Sequence, residues 1–100
     1  MPPLVLSIAG SDCSAGAGAQ ADLKTITALG GYALTVLTSV VAETPAKVAR
    51  IQLLESEIIS EQIAVLAEAF PIAAAKAGML GGERQIAAVV EAWEPLAARG

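Results

Sequence analysis

The 100-residue sequence contains no histidine and a single cysteine, Cys13. A His/Cys zinc site and a disulfide framework are therefore both excluded, and a reducing compartment is expected. Aromatic residues are only 3% of the chain although 55% of it is hydrophobic. Alanine supplies much of that fraction, so the core has to be filled by small side chains packed closely, which suits helices lying flat on a sheet. Basic residues number 6 against 10 acidic ones, for a formal net charge of -4. That balance offers no electrostatic footprint for nucleic acid or for an anionic membrane surface. Long apolar runs are also missing. The run from Leu4 to Ala9 follows Met1-Pro2-Pro3 without a basic stretch and is too short for a signal or a membrane span, so the cytoplasm is the expected location. The partners left are a small molecule and other protein chains, a second copy of this one included.

What is present reads as alternating strands and helices. Leu4 to Ala9 is nearly continuous apolar sequence ending at Gly10, as in a parallel strand buried on both faces. Residues 10 to 16 mix Gly, Ser, Asp and Ala. A helix is predicted from about Ala17 to Leu29, with Ala19, Leu23, Ile26 and Leu29 on its buried line and Gly30-Gly31 as its stop. Ala33 to Ala42 is a second buried strand, broken at Thr44-Pro45. Val48 to Leu54 alternates in polarity, which predicts an edge strand or flap with one solvated face. Ser56 is the expected N-cap of a helix whose stripe is Ile59, Ile63, Leu66 and Phe70, ending before Pro71. Ile72 to Ala77 is a third buried strand, interrupted by Lys76. A last helix starts near Glu83, with Ile86, Val89, Trp93 and Leu96 inward and Pro95 expected to kink it or end it early.

This order predicts an α/β fold with a mainly parallel sheet and right-handed crossovers. Three parallel strands and three helices cover both faces of such a sheet only marginally. The chain is therefore expected to be one part of a larger domain, or a piece that associates to complete its sheet.

The segment from Gly10 to Asp22 is the expected ligand site, because ligands of open α/β sheets bind outside the carboxyl ends of the strands and at helix starts. A nucleotide phosphate loop does not fit, since no Gly-Lys-Ser/Thr end is present and Lys24 lies well inside the helix. A nicotinamide dinucleotide fingerprint matches in Gly16-x-Gly18-x-x-Ala21, with Glu43 in the place of a ribose-binding acid, but six residues separate Ala9 from Gly16. The third reading rests on the whole run Ile8-Ala9-Gly10-Ser11-Asp12-Cys13-Ser14-Ala15-Gly16-Ala17-Gly18-Ala19-Gln20-Ala21-Asp22-Leu23-Lys24-Thr25. It resembles the opening motif of the hydroxymethylpyrimidine/phosphomethylpyrimidine kinases of thiamine biosynthesis. Lys76-Ala77-Gly78-Met79-Leu80 resembles the second signature of that family at the right distance.

The resemblance implies a ribokinase-like three-layer α/β/α sandwich, of which residues 1–100 would form the substrate-binding N-terminal portion of a single kinase domain. It also implies ATP and Mg²⁺ as cofactors for phosphorylating a hydroxymethyl group, and then the phosphate, of an aminopyrimidine. Pyridoxal kinases share the superfamily, and a non-catalytic pyrimidine- or pyridoxal-binding module is the alternative. Carried over by position, Gly10 offers backbone contact to the pyrimidine, Asp22 hydrogen-bonds it, and Val41 and Met79 line the ring. No catalytic residue and no metal ligand is assigned within these residues, because the nucleotide and catalytic motifs of the family lie in its second half. The isolated chain is thus expected to form no ADP.

The sequence departs from the family pattern at Cys13, at Ala15 and at Glu43, which is followed by Thr44-Pro45 in place of Asn and a small residue. Glu43 stands for Gln, and an ionised carboxylate can only accept hydrogen bonds where an amide also donates. Ala15 stands for Gly, which narrows the allowed backbone. Cys13 stands for Ser or Pro and is expected to be incidental. Asp12 is read either as a turn residue or as a ligand contact. The charge of Lys76 has to reach water, a carboxylate or a phosphate, and snorkelling to solvent is the simplest course. Glu55, Glu57 and Glu61 are expected to form an exposed helix entry without further function.

Overall fold

A computed structural model describes residues 2–97. Its elements are β1 (Leu4–Asp12), α1 (Gly18–Ala28), β2 (Tyr32–Thr44), β3 (Lys47–Leu53), α2 (Ser56–Ala69), β4 (Ala74–Ala77) and α3 (Glu83–Ala97). They form one four-stranded sheet in the order β3-β2-β1-β4. β1 pairs in parallel with both β2 and β4, and β3 is antiparallel to β2. The sheet is thus mixed but mostly parallel, and the fold is α/β as the residue pattern predicts.

Alternate residues of a strand point to opposite faces, and this sorts the helices. Leu4, Leu6 and Ile8 of β1 and Leu34 and Val36 of β2 form one buried cluster with Ile59 and Ile63 of α2 and Ala88 and Val89 of α3. The opposite face carries Ser7, whose hydroxyl reaches Asp22 of α1. Helices therefore lie on both faces, giving three layers. None of the described helices is long and apolar enough to cross a membrane.

Several elements differ from their sequence reading, each for a physical reason. β1 runs on to Asp12, because Ser11 and Asp12 continue the ladder against Val40 and Val41 after a register shift at Ala9. Three residues of the expected loop, Gly10 to Asp12, are therefore strand. Ala19 and Ile26 face inward as expected, but Leu23 and Leu29 are exposed and Asp22 turns inward with them. The bond from Ser7 to Asp22 fits that rotation. β3 is an edge strand, but all seven of its residues are exposed, so neither face is covered.

Helix α2 has Glu55 rather than Ser56 at its N-cap, without a side-chain capping bond. β4 is four residues long and wholly exposed, because it pairs with β1 on one side only. In α3 the inward position is Gln85, not Ile86, which is 45% exposed. The Gln85 amide donates to the Leu54 carbonyl and accepts from the Gly82 N–H, and these bonds set the helix phase. Pro95 lies inside α3 without ending it.

Candidate functional site

The carboxyl ends of β1, β2 and β4 and the start of α1 converge on one cavity of about 300 Å³. The five residues singled out by motif, Gly10, Asp22, Val41, Glu43 and Met79, all line it, together with Lys76 and with Val48 and Ile51 of the β3 flap. A larger depression of about 750 Å³ lies between α2 and α3, but it is a shallow groove away from the strand ends.

The loop that shapes the cavity is organised by Asp12. One carboxylate oxygen accepts from the Ser14 N–H at 2.8 Å and the Ser14 hydroxyl at 2.7 Å, and the other accepts from the Ala17 N–H at 2.8 Å. The Ser14 hydroxyl, against the opposing effect of burial, and the N–H groups of Ser14, Ala17 and Gly16 hold this carboxyl below its ordinary value of 3.8. Of the two readings of Asp12, the geometry favours the turn residue. A carboxylate of the chain itself fills the amide nest that a phosphate would need, which counts against the phosphate-loop and dinucleotide readings.

Gln20 locks the same loop from the helix side. Its carbonyl oxygen accepts from the Asp12 N–H at 2.9 Å and its amide donates to the Ser11 hydroxyl at 2.6 Å. Cys13 ties the loop to β2, since its thiol donates to the Glu43 carbonyl at 3.3 Å and its sulfur accepts from the Glu43 N–H at 3.4 Å. Its role here is to position backbone.

Ala15 sits in the left-handed region at φ 62°. A side chain there costs roughly 1–2 kcal/mol relative to an unstrained backbone, while glycine adds freedom to the unfolded chain. Ala15→Gly is expected to raise stability by up to about 1 kcal/mol, read as a shift in a urea melt.

Gly10 forms the floor. A Cβ there would lie 2.5 Å from the Ser39 hydroxyl oxygen and 3.8 Å from Val41 Cγ2 and Met79 Cε. The lack of a side chain at Gly10 is thus required by strand packing as well as by the approach of a ligand. Ser39 is fully buried, and its hydroxyl has no partner among the described residues. Thr38 donates to the Met79 carbonyl at 3.0 Å and fixes the backbone that presents the methionine.

Asp22 forms the charged wall. Its two oxygens accept from Ser7 Oγ at 2.8 Å and from Lys76 Nζ at 2.7 Å. Burial alone would raise its pKa, but the hydrogen bonds from Lys76 and Ser7 and the charge of Lys76 outweigh it and hold the carboxyl below 3.8. Lys76 therefore meets a carboxylate, although solvent was the simpler expectation. Ser7 and Lys76 are partners in the β1/β4 register, and both interrupt apolar strand sequence. That coincidence is the signal by which the pair could have been found. Across the cavity Glu43 is half-buried, and its carboxylate makes no hydrogen bond or ion pair among the described residues.

The family model described as phosphomethylpyrimidine kinase matches residues 12–99. A hydroxymethylpyrimidine/phosphomethylpyrimidine kinase of Mycobacterium leprae is 44% identical over 92 residues, covering 92% of this chain and 33% of that protein. The crystal structure of a phosphomethylpyrimidine kinase from Clostridium difficile superposes with a TM-score of 0.90 at 40% identity, over 93% of this chain and 40% of the other. A pyridoxal kinase from Staphylococcus aureus, solved in complex with AMP-PCP and pyridoxal, gives a TM-score of 0.82 at 38% identity over 95% of this chain and 35% of its own. The chain spans 33–40% of the length of these three relatives.

Proposed function

Because this chain belongs to the phosphomethylpyrimidine kinase family, we propose that its cavity binds the aminopyrimidine substrate of an ATP-dependent kinase of thiamine biosynthesis. The observation that carries the reading is the convergence of Gly10, Asp22, Val41, Glu43 and Met79, which come from β1, α1, β2 and the segment after β4, on one cavity. Val41 and Met79 offer an apolar surface on which a flat ring can lie, the thioether being soft enough to pack against an aromatic face. Asp22 and Glu43 offer acceptors at the ring edge, where an exocyclic amine or a ring N–H donates. Gly10 contributes its backbone without a side chain in the way.

The reading assigns this chain binding and orientation rather than phosphoryl transfer. No group of three His, Cys, Asp or Glu side chains able to hold a metal ion occurs among the described residues. ATP, when bound, supplies the phosphoryl group. Its site and that of the metal are proposed to lie in the part of the relatives that this chain does not span. The open far edge of β4 is where further strands would continue the sheet. The same proposal includes a cytoplasmic location and self-association.

Glu43 tests the substrate. An aminopyrimidine presents a donor next to an acceptor, and an amide matches both where a carboxylate matches one. Glu43→Gln is expected to tighten hydroxymethylpyrimidine binding by roughly 5–10-fold, the scale of one neutral hydrogen bond. Calorimetry on the full-length protein checks this, and unchanged or weaker binding removes the hydroxymethylpyrimidine assignment. A second reading, pyridoxal as the ligand, is favoured by the similarity to the pyridoxal kinase of Staphylococcus aureus. Tighter binding of pyridoxal than of hydroxymethylpyrimidine by the unaltered protein would select it.

A further inference from the structure

Lys76 is the one cation among the residues lining the cavity, which also carries Asp12, Asp22 and Glu43. Asp12 is consumed by the loop amides and Ser14. The two carboxylates left for a ligand are Asp22 on α1 and Glu43 on β2, and β3 contributes only Val48 and Ile51. The ammonium of Lys76 is held 2.7 Å from Asp22, yet its side chain is 60% exposed against 14% for Asp22. An ion pair with one partner so exposed adds little to stability. Its effect is local: it holds the Asp22 carboxylate in the cavity wall and favours its ionised form.

We propose that Lys76 is a positioning residue for the ligand, holding the Asp22 carboxylate in place as a pure acceptor so that the cavity selects aromatic heterocycles that present an N–H donor edge. This rests on the proposed substrate role of the cavity. Without Lys76, Asp22 keeps only the Ser7 hydroxyl, in a partly buried position that shares the cavity with Glu43. Burial favours the protonated acid, which would turn a donor toward the ligand's own donor. The cost of removing Lys76 should therefore depend on pH. It should be large where Asp22 takes up a proton and small where it is ionised in either chain.

The test is hydroxymethylpyrimidine affinity by calorimetry across the acid range, in the full-length protein and its Lys76→Met and Lys76→Arg variants. The ring nitrogen of the free ligand titrates identically in every experiment, so differences between curves report the bound complex. Lys76→Met is expected to bind several-fold more weakly than the unaltered protein at the acid end of the range, near about pH 4, and with similar affinity near about pH 7. Lys76→Arg is expected to follow the unaltered protein. Curves for Lys76→Met and the unaltered protein that stay parallel at every pH would overturn the inference while leaving the cavity's ligand intact. Absence of binding by the unaltered protein would overturn the functional reading and this inference with it. Should Lys76→Met fail to fold, the NMR titration of the Asp22 carboxyl carbon in Lys76→Gln decides: a raised midpoint supports the inference and an unchanged one overturns it.

Discussion

Gly18→Ala is expected to lower stability by about 3 kcal/mol and the melting temperature by roughly 15 °C. Gly18 opens α1 with φ +64°, and a Cβ there would run into the Gly10 carbonyl oxygen, with the Asp12 nitrogen 3.4 Å away. Both neighbours are backbone, so no rotamer change relieves the clash. The left-handed conformation accounts for roughly 1–2 kcal/mol. The rest comes from pushing α1 off the end of β1, and overpacking of that kind costs about 1–3 kcal/mol. Gly30 is the control, since it has φ +91° but nothing within 4 Å of an added Cβ. Gly30→Ala should show the conformational cost alone, about 1–2 kcal/mol. Equal losses at the two positions in urea unfolding would show that the close approach of α1 to β1 is not what Gly18 serves.

Asp22→Asn should weaken hydroxymethylpyrimidine binding by roughly thirtyfold while the fold persists. The amide keeps the shape of the carboxylate. Its oxygen can still accept from Lys76, and its NH₂ can donate to the Ser7 hydroxyl, which then acts as acceptor. What is lost is the negative charge on the cavity wall and one acceptor face. A hydrogen bond to a charged group contributes about 1.5–3 kcal/mol, and about 2 kcal/mol corresponds to the stated change in Kd. The measurement pairs calorimetric Kd values with melting temperatures for the two proteins. A variant that melts normally and binds as tightly as the unaltered protein would remove Asp22 from the site.

Much of this architecture is legible in the sequence because the signals are local and strong. The apolar run from Leu4, the change of period at Ser56 and the breaks at Gly30-Gly31 and Thr44-Pro45 place each element within a few residues. The candidate site residues come from the resemblance to the kinase family, by position in its motifs, and not from periodicity. Gly10, Asp22, Val41, Glu43 and Met79 lie at or beyond strand ends or in the first turns of a helix, positions that a parallel sheet brings together whatever its details.

Long-range polar satisfaction is what the sequence hides. Gln85 faces inward where Ile86 was expected, because a carbonyl in one connection and an N–H in another need partners. Gln62 does the same for β2. Its side chain accepts from the Leu37 N–H and donates to the Leu37 carbonyl, both at 2.9 Å, on a stretch of strand that β3 does not reach. No periodicity reveals such contacts, since each depends on a backbone group far away in sequence. The same is true of α1, where Leu23 gives way to Asp22 because Ser7 and Lys76 lie beneath the helix.

The central claim, that the cavity at the ends of β1, β2 and β4 takes an aminopyrimidine, is tested most directly by titrating hydroxymethylpyrimidine into isotopically labelled protein and following amide and methyl resonances. Saturable shifts are expected at Gly10, Asp22, Val41 and Met79, with Val48 and Ile51 of the flap moving alongside. Shifts confined to the α2/α3 groove around Ser60, Ala64 and Glu91, or no saturable shift at any concentration the ligand allows, would contradict it.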